Sequence, residues 1–264
     1  MATVVFFHAH PDDETIATGG TMARLSSEGH RVVLVTATAG ELGEVPEGLL
    51  EPGEDLASRR AKELDAASRI LGVARRVNLG FGDSGMAGQP SNDASGSFWR
   101  TDVDEAAGVL AELLAEERAD VLSAYDENGG YGHPDHIQVH RVGLRAGELA
   151  GVPRLYMATI NRDHLLRLSE RAEEFGVTPP EGEGAPDFSS LGVDEKRITT
   201  AVDVQDFLDA KRRAMAAHAS QISETSFFLS MPPAAFAMVW GTEWYIRVDA
   251  PVGAEMETTL VGEL

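Results

Sequence analysis

VVFFHAHPDDE, at residues 4–14, runs from a short apolar segment directly into a cluster of histidine, aspartate and glutamate. The apolar residues 4–7 predict a buried strand, and Pro11 in the polar segment predicts a tight loop at its end. Ligands of open α/β proteins bind at the carboxyl ends of the strands. The stretch therefore predicts an α/β fold with a functional loop after its first strand.

The rest of the first 160 residues alternates between strand and helix patterns. Further strands are predicted at residues 31–39, 77–79, 120–124 and 155–160, and helices at about 14–29, 55–71, 104–118 and 137–150. Such alternation is typical of an α/β three-layer sandwich with a mostly parallel, Rossmann-like sheet.

This alternation ends after residue 160. Residues 178–192 are rich in proline, glycine and glutamate and predict a linker, followed by a helix at 205–222 and a late strand at 244–248. We expect two parts: a catalytic α/β domain at residues 1–160, and a C-terminal subdomain or lid at 161–264 that completes a substrate pocket.

Composition excludes several classes of function. The formal net charge is −21, with 43 acidic and 22 basic residues, so the surface repels phosphate backbones and anionic lipids. We expect no nucleic-acid or membrane partner, and the absence of a signal peptide predicts a cytoplasmic location. The chain has no cysteine, so a metal site would have to use histidine and carboxylate.

A second polar cluster, GGYGHPDH at residues 129–136, follows the fourth predicted strand. Like the first cluster, it places histidine and aspartate in a tight turn. Catalytic zinc typically takes three protein ligands and keeps one position open for water, and it polarises a carbonyl group for hydrolysis. The two clusters together predict a metal site that could hydrolyse an amide.

The two clusters resemble the signatures of the LmbE-like or PIG-L family of zinc-dependent N-deacetylases. These signatures are A-H-P-D-D-E, at residues 9–14 of this chain, and H-P-D-H, at residues 133–136. The resemblance extends over residues 3–160. It implies a metal-dependent hydrolase of linear amides.

Carried over position by position, the resemblance implies roles for the residues of the first motif. His10 and Asp13 would be metal ligands together with His136, and Asp12 would be the general base that takes a proton from water. Zn²⁺ is the expected metal, although Fe²⁺ also binds histidine and carboxylate sites.

The resemblance also implies roles outside the ligand set. His133 would stabilise the tetrahedral intermediate or protonate the leaving amine, with Asp135 as its orienting partner. Tyr131 would complete the oxyanion site. Arg60 and Asp83 would contact the substrate, because carboxylates accept hydrogen bonds from paired sugar hydroxyls.

The implied reaction removes an N-acyl group, expected to be acetyl, from a small glycoside that contains N-acetylglucosamine (GlcNAc). One alternative is an amidase of the same family that acts on mycothiol conjugates or another amide. The resemblance to the mycothiol-conjugate amidases implies a lysine just after the first motif, about where this chain has Ala17, which counts against this alternative. Another alternative is a non-catalytic metal- or sugar-binding paralogue. The partner would be a small amino sugar, and a homo-oligomer is compatible with the sequence.

Three further histidines lie outside these roles. We expect His8 in the core or behind the site, because it alternates with His10 along the strand end. His140 is expected to be an ordinary helix residue. For His218 two interpretations stay open, a place lining the site from the C-terminal region or a place in the helix packing.

Overall fold

The computed structural model describes residues 1–175, 188–251 and 253–262. Its centre is a seven-stranded sheet in the order β3-β2-β1-β4-β5-β7-β6. The strands are β1 Thr3–His8, β2 Arg31–Thr38, β3 Arg75–Phe81, β4 Val121–Tyr125, β5 Arg154–Thr159, β6 Thr200–Asp203 and β7 Thr242–Arg247. The first five pair in parallel, and β7 lies antiparallel between β5 and β6.

Helices cover the two faces of this sheet. They are α1 Asp13–Ala17, α2 Gly19–Ser27, α3 Leu56–Leu71, α4 Val103–Glu117, α5 Pro134–Ala150, α6 Arg162–Ser169, α7 Leu208–Ala217, α8 Phe227–Ser230 and α9 Pro233–Trp240. The chain moves outward from β1 to β3 and then returns to β4, so right-handed crossovers place α2 and α3 opposite α4 and α5. The expected three-layer, mostly parallel α/β fold is confirmed.

Strand β1 lies inside the sheet, between β2 and β4. Residues 4–7 are completely buried, because β1 pairs on both sides and carries helices on both faces. The strand order reverses between β1 and β4, which is the topological switch point of such a sheet. The loops that follow these two strands therefore lie side by side.

The helix predicted at residues 14–29 is two helices in the structure. Thr18 breaks it with φ −138° and ψ 8°. The new helix α2 begins with backbone N–H groups of Gly20 and Thr21 that donate to the carboxylate of Glu243, at 2.8 and 2.7 Å. A carboxylate at a helix N-terminus satisfies its free donors, so a residue of β7 sets this helix start.

The C-terminal predictions were partly right. The late strand predicted at 244–248 is β7, whereas β6 was not predicted. The helix predicted at 205–222 is shorter, since α7 starts at Leu208 and ends at Ala217. Most of the linker predicted at 178–192 lies outside the described residues.

The C-terminal part shares the sheet of the N-terminal part. Strands β6 and β7 continue it, and α7 packs on α2 and α3. A smaller apolar cluster lies around α7, α8 and α9, formed by Met215, Ile222, Leu229, Met231, Ala235 and Phe236.

The division at residue 160 stays a prediction, as do the cytoplasmic location and the oligomeric state. Within the described ranges, no helix is long and apolar enough to cross a bilayer.

Two helix glycines differ in their surroundings and make a matched pair. A Cβ added to Gly20 would lie 2.6 Å from the side chain of Val204, whereas one added to Gly108 in α4 meets nothing within 4 Å. We expect Gly108→Ala to stabilise the protein by about 1 kcal/mol through helix propensity. Gly20→Ala should instead destabilise it, because overpacking costs about 1–3 kcal/mol.

Urea unfolding of both variants and the parent protein measures this difference. Equal midpoints for Gly20→Ala and Gly108→Ala would contradict the close approach of Val204 to α2.

Candidate metal centre and active site

The loop after β1 is short and tightly bonded. The backbone N–H of His10 donates to Asp13 Oδ2 at 2.8 Å. Asp12 has φ 109° and ψ −35°, which is rare for a residue with a side chain. Helix α1 begins at the next residue, so the loop presents His10, Asp12 and Asp13 within one turn.

The loop after β4 is held by a buried carboxylate. Asp126 Oδ1 accepts the backbone N–H groups of Asn128 and Gly130, each at 3.0 Å, and its Oδ2 accepts the hydroxyl of Thr159. Gly129 has φ 59°, and a Cβ there would lie 2.4 Å from the Cβ of His136. The missing side chain lets the Gly129 carbonyl group approach the imidazole of His136.

His136 therefore has a defined proton position. Its Nδ1 lies 3.1 Å from the Gly129 carbonyl oxygen, an acceptor, so the ring proton must be on Nδ1. Its Nε2 then carries a lone pair and lies 3.3 Å from Asp13 Oδ1. Among the described residues no donor reaches this buried nitrogen.

In His10, too, one ring nitrogen faces an outer acceptor and the other faces Asp13, but here the outer nitrogen is Nε2 and the inner one is Nδ1. Its Nε2 lies 3.1 Å from Asp135 Oδ2, and that oxygen also accepts the backbone N–H of Ser84 at 2.9 Å. The proton of the neutral ring is therefore on Nε2. The lone pair on Nδ1 faces Asp13 Oδ2 at 3.4 Å.

Two lone pairs thus face one carboxylate, an arrangement that needs a positive charge between them. Zinc binds nitrogen and oxygen at about 2.0–2.2 Å, which places tetrahedral ligand atoms roughly 3.4 Å apart. His10 Nδ1 lies 3.4 Å from Asp13 Oδ2 and His136 Nε2 lies 3.3 Å from Asp13 Oδ1, so the two histidines face different oxygens of one carboxylate. Two imidazoles and a carboxylate, with an unpartnered buried nitrogen on His136, are a donor set that suits a divalent cation.

Electrostatics at the same atoms agree with this. Burial opposes a charge on His10, but hydrogen bonds with Asp13, Asp135 and Asp83 outweigh it and raise its pKa well above the usual value. Burial likewise opposes the charge of Asp13, but His136 and His10 hold its pKa well below the usual range. The centre favours a cation, whether a proton or a metal.

His133 lies close enough to be considered as a third nitrogen ligand. One nitrogen from each of His10, His133 and His136 falls within 4.8 Å of the others. However, His133 Nδ1 accepts the backbone N–H of Asp135 at 3.1 Å, so its proton is on Nε2. Burial and then the neighbouring His10 and His136 lower its pKa to about 4. His133 is therefore a neutral hydrogen-bond donor beside the centre.

Asp135 does not use its carboxylate to orient His133. Only its backbone N–H contacts that ring, and its Oδ2 contacts His10 and Ser84. The orienting contact expected between the two side chains is replaced by a helix N-cap, because His133 precedes the first turn of α5.

Asp12 lies next to the metal-ligand candidates. Burial raises the pKa of its carboxyl group to about 6, although Arg60 opposes this shift. Arg60 Nη2 donates to Asp12 Oδ1 at 2.9 Å. A carboxylate with a pKa near neutrality can accept a proton and release it again.

The two residues expected to contact substrate are already bonded to protein groups. The guanidinium of Arg60 is buried and also donates to the carbonyl oxygens of Pro11 and Gly40. The Asp83 carboxylate accepts the backbone N–H groups of Leu42 and Gly85, at 3.1 and 2.8 Å. Arg60 thus holds the loops from α3, Asp83 lies in the loop after β3, and the substrate contacts of both stay predictions.

Tyr131 projects from the loop after β4 with half of its side chain exposed. Its ring centre lies 4.9 Å from that of His136 and 6.2 Å from that of His133. Burial and the nearby carboxylates raise the pKa of its hydroxyl group, so the phenol stays protonated and can donate a hydrogen bond.

Other residues of the site had no role in the sequence interpretation. Asp126 was missed, although it follows β4 directly, and Glu14 belongs to the first motif without an assigned function. His8 bonds Tyr125 Oη and Thr18 Oγ1 at 2.6 and 2.9 Å, behind the loop. His140 contacts the Tyr125 carbonyl oxygen from α5, as expected of a helix residue.

The family profile described as GlcNAc-PI de-N-acetylase, PIG-L, matches residues 5–147. A relative from Thermomonospora curvata is 42% identical over 273 residues, covering 95% of this chain and 91% of the relative. It is named 1D-myo-inositol 2-acetamido-2-deoxy-alpha-D-glucopyranoside deacetylase. The chain belongs to the PIG-L family, and the expected enzyme class, an N-deacetylase, is confirmed.

Solved structures share the fold. The N,N'-diacetylchitobiose deacetylase of Pyrococcus horikoshii has a TM-score of 0.60 at 25% identity, covering 94% of this chain and 84% of that protein. The 4-carboxy-2-hydroxymuconate hydratase of Pseudomonas putida KT2440 has a TM-score of 0.56 at 16% identity, covering 97% and 99%. The fold thus accommodates two reactions, and the site must distinguish them.

Zinc titration of two variants separates the candidate ligand sets. Asp13→Ala should weaken zinc binding by more than the roughly 10-fold to 100-fold that loss of an indirect partner costs. His133→Ala should keep zinc with near-parental affinity, because its lone pair points away from the centre. Equilibrium dialysis with metal analysis measures both.

The opposite pattern, with zinc lost in His133→Ala and kept in Asp13→Ala, would assign the site to three imidazoles.

Proposed function

We propose that this protein is a zinc-dependent deacetylase that removes the acetyl group from a GlcNAc–inositol glycoside. One observation carries the proposal: His10 and His136 direct lone pairs at Asp13, with the carboxylate of Asp12 on the adjacent residue. Hydrolysis of an amide needs both a cation that polarises the carbonyl group and a nearby base.

The substrate class is supported by the relatives. The relative from Thermomonospora curvata is named for a glucosamine derivative of myo-inositol and aligns with nearly all of this chain. Its coverage includes the C-terminal third as well as the two motifs. We therefore favour 1D-myo-inositol 2-acetamido-2-deoxy-α-D-glucopyranoside over a larger amide.

His10, Asp13 and His136 would hold the metal in the proposed reaction. A zinc ion bound there supplies Lewis acidity toward the amide carbonyl and the attacking water. Zinc is favoured over Fe²⁺ because the reaction is hydrolytic and needs no redox change. Asp12 takes the proton of the water, a role that suits its raised pKa of about 6.

Tyr131 and His133, whose ring centres lie 6.2 Å apart, are two hydrogen-bond donors that would stabilise the developing negative charge. The protonated phenol of Tyr131 can donate to the oxyanion that forms on the acetyl carbon. The Nε2–H of His133 can donate to the same oxyanion or to the leaving nitrogen. Asp135 acts indirectly, because it sets the proton position on His10. Arg60 and Asp83 would contact the sugar, and Asp83 also holds the backbone of Leu42 and Gly85.

The role of Asp12 as base is tested with Asp12→Ala. We expect this variant to retain zinc and to lose about 100-fold to 10,000-fold of its kcat, the usual contribution of a general base. Amine release from the GlcNAc–inositol glycoside is measured for the zinc-loaded protein. Asp93→Ala, whose side chain is largely exposed, is the matched control and should keep parental turnover.

Full activity of Asp12→Ala would overturn the assigned mechanism. Amine release that survives chelation would overturn the metal dependence.

The substrate is tested in the same assay. We expect amine release from the GlcNAc–inositol glycoside to exceed that from a mycothiol conjugate by at least the roughly 10-fold that one well-placed contact provides. The reverse preference would make the protein an amidase. Zinc binding without hydrolysis of either compound would indicate a binding protein.

A further inference from the structure

The backbone of Asp12 is held in a conformation that side-chain-bearing residues rarely adopt. Its φ of 109° lies outside the small left-handed region, unlike Arg118, the other such residue in the described chain, whose φ of 50° is ordinary for a helix end. A backbone of this kind persists only where surrounding contacts hold it. The contacts of Asp12 therefore decide where its carboxylate points.

Three groups hold the residue. Its N–H donates to Glu14 Oε2 at 2.8 Å. Its carbonyl oxygen accepts the backbone N–H and the hydroxyl of Thr15, at 3.0 and 2.8 Å. Its carboxylate accepts from Arg60. Of these contacts, the one to Glu14 satisfies the donor of the strained peptide itself.

The second oxygen of Glu14 is bonded to a residue from the far end of the chain. His218 Nε2 lies 2.7 Å from Glu14 Oε1, and both side chains are completely buried. Among the described residues, His218 Nδ1 has no hydrogen-bond partner. Donation to Glu14 is thus the sole polar contact of this ring in the described structure, and it fixes the rotation of the Glu14 carboxylate.

The segment that carries His218 is itself anchored next to the site. It follows the last turn of α7, and Ser220 donates both its N–H and its hydroxyl to Glu63, at 3.0 and 2.6 Å. Glu63 lies on α3, three residues after Arg60, so one face of α3 contacts both Asp12 and this segment. The position of His218 is therefore defined independently of Glu14.

We propose that Glu14 and His218 are positioning residues for Asp12. His218 donates to one oxygen of Glu14, and the other oxygen accepts the N–H of Asp12, which keeps its backbone at positive φ and its carboxylate beside the metal ligands. Without the histidine donor, the Glu14 carboxylate turns, the Asp12 peptide relaxes and the base moves. This inference rests on the proposed function in taking Asp12 as the base.

The kinetic test uses His218→Met, with His218→Gln as the conservative variant. We expect His218→Met to lower kcat by about 10-fold to 100-fold, as small misplacements of a catalytic group do, with KM within about twofold. Its zinc content should not change. His218→Gln supplies an amide donor near the position of Nε2 and should recover most of kcat.

Ser220→Ala is the matched control from the same buried segment. It removes the hydroxyl hydrogen bond to Glu63 and keeps the backbone N–H bond that anchors the segment, so it should keep kcat even where it lowers the melting temperature. A fall in stability with unchanged kcat in His218→Met as well would show a purely structural role and overturn the proposal.

A double-mutant cycle tests the route of the effect. If His218 acts through Asp12, then His218→Met should have no further effect on the residual rate of Asp12→Ala, because interacting residues are not additive. Additive losses of rate would show that His218 acts elsewhere and overturn the proposal.

A structural readout needs neither substrate nor metal. Crystal structures of the metal-free parent, His218→Met and Glu14→Met should show Asp12 at positive φ only in the parent. Glu14→Met removes the acceptor of the Asp12 N–H and keeps a side chain of similar length, so it serves where His218→Met does not fold. Positive φ retained in the variants would refute the positioning role. Lack of turnover by the parent enzyme would refute the proposed function alone, and the crystal structures would still decide this inference.

Discussion

Two imidazole nitrogens and one carboxylate face one another at the centre of this protein, and hydrogen bonds to outer groups fix the proton on the far nitrogen of each ring. His136 sends its proton outward to the Gly129 carbonyl oxygen, and His10 sends its proton outward to Asp135. Both inner nitrogens are left facing Asp13. A cation, whether a proton or a metal ion, relieves the mutual repulsion of these acceptors, so the hydrogen bonds of the two loops favour cation binding at the centre.

The sequence alone predicts the candidate metal centre because each motif contains candidate ligands at short spacing. His10 and Asp13 lie in one turn after β1, and His136 lies in the first turn of α5 after β4. The contacts that set proton positions are not local. The backbone N–H of Ser84 reaches Asp135 across 51 residues, and Glu14 reaches His218 across 204. Such contacts exist only once the chain has folded.

The fold, like the site, was predictable where short segments of sequence determine it and not where contacts between distant residues do. Strands β1 to β5 are signalled by apolar segments between helices, and the switch point follows from their order. The break at Thr18 depends on Glu243, more than 220 residues away, so no local pattern indicates it. Strand β6 has four residues, two of them buried, which is too short for a period of two to be recognised.

Strand β7, the last strand of the described residues, takes an inner place in the sheet, between β5 and β6. During synthesis on the ribosome, the five parallel strands can pair in the order in which they emerge. The outer edge of β5 then stays open until residues 242–247 have left the exit tunnel, and an open strand edge is a template for aggregation. The nascent protein therefore exposes an unpaired strand edge at a stage when its five parallel strands have already been synthesised.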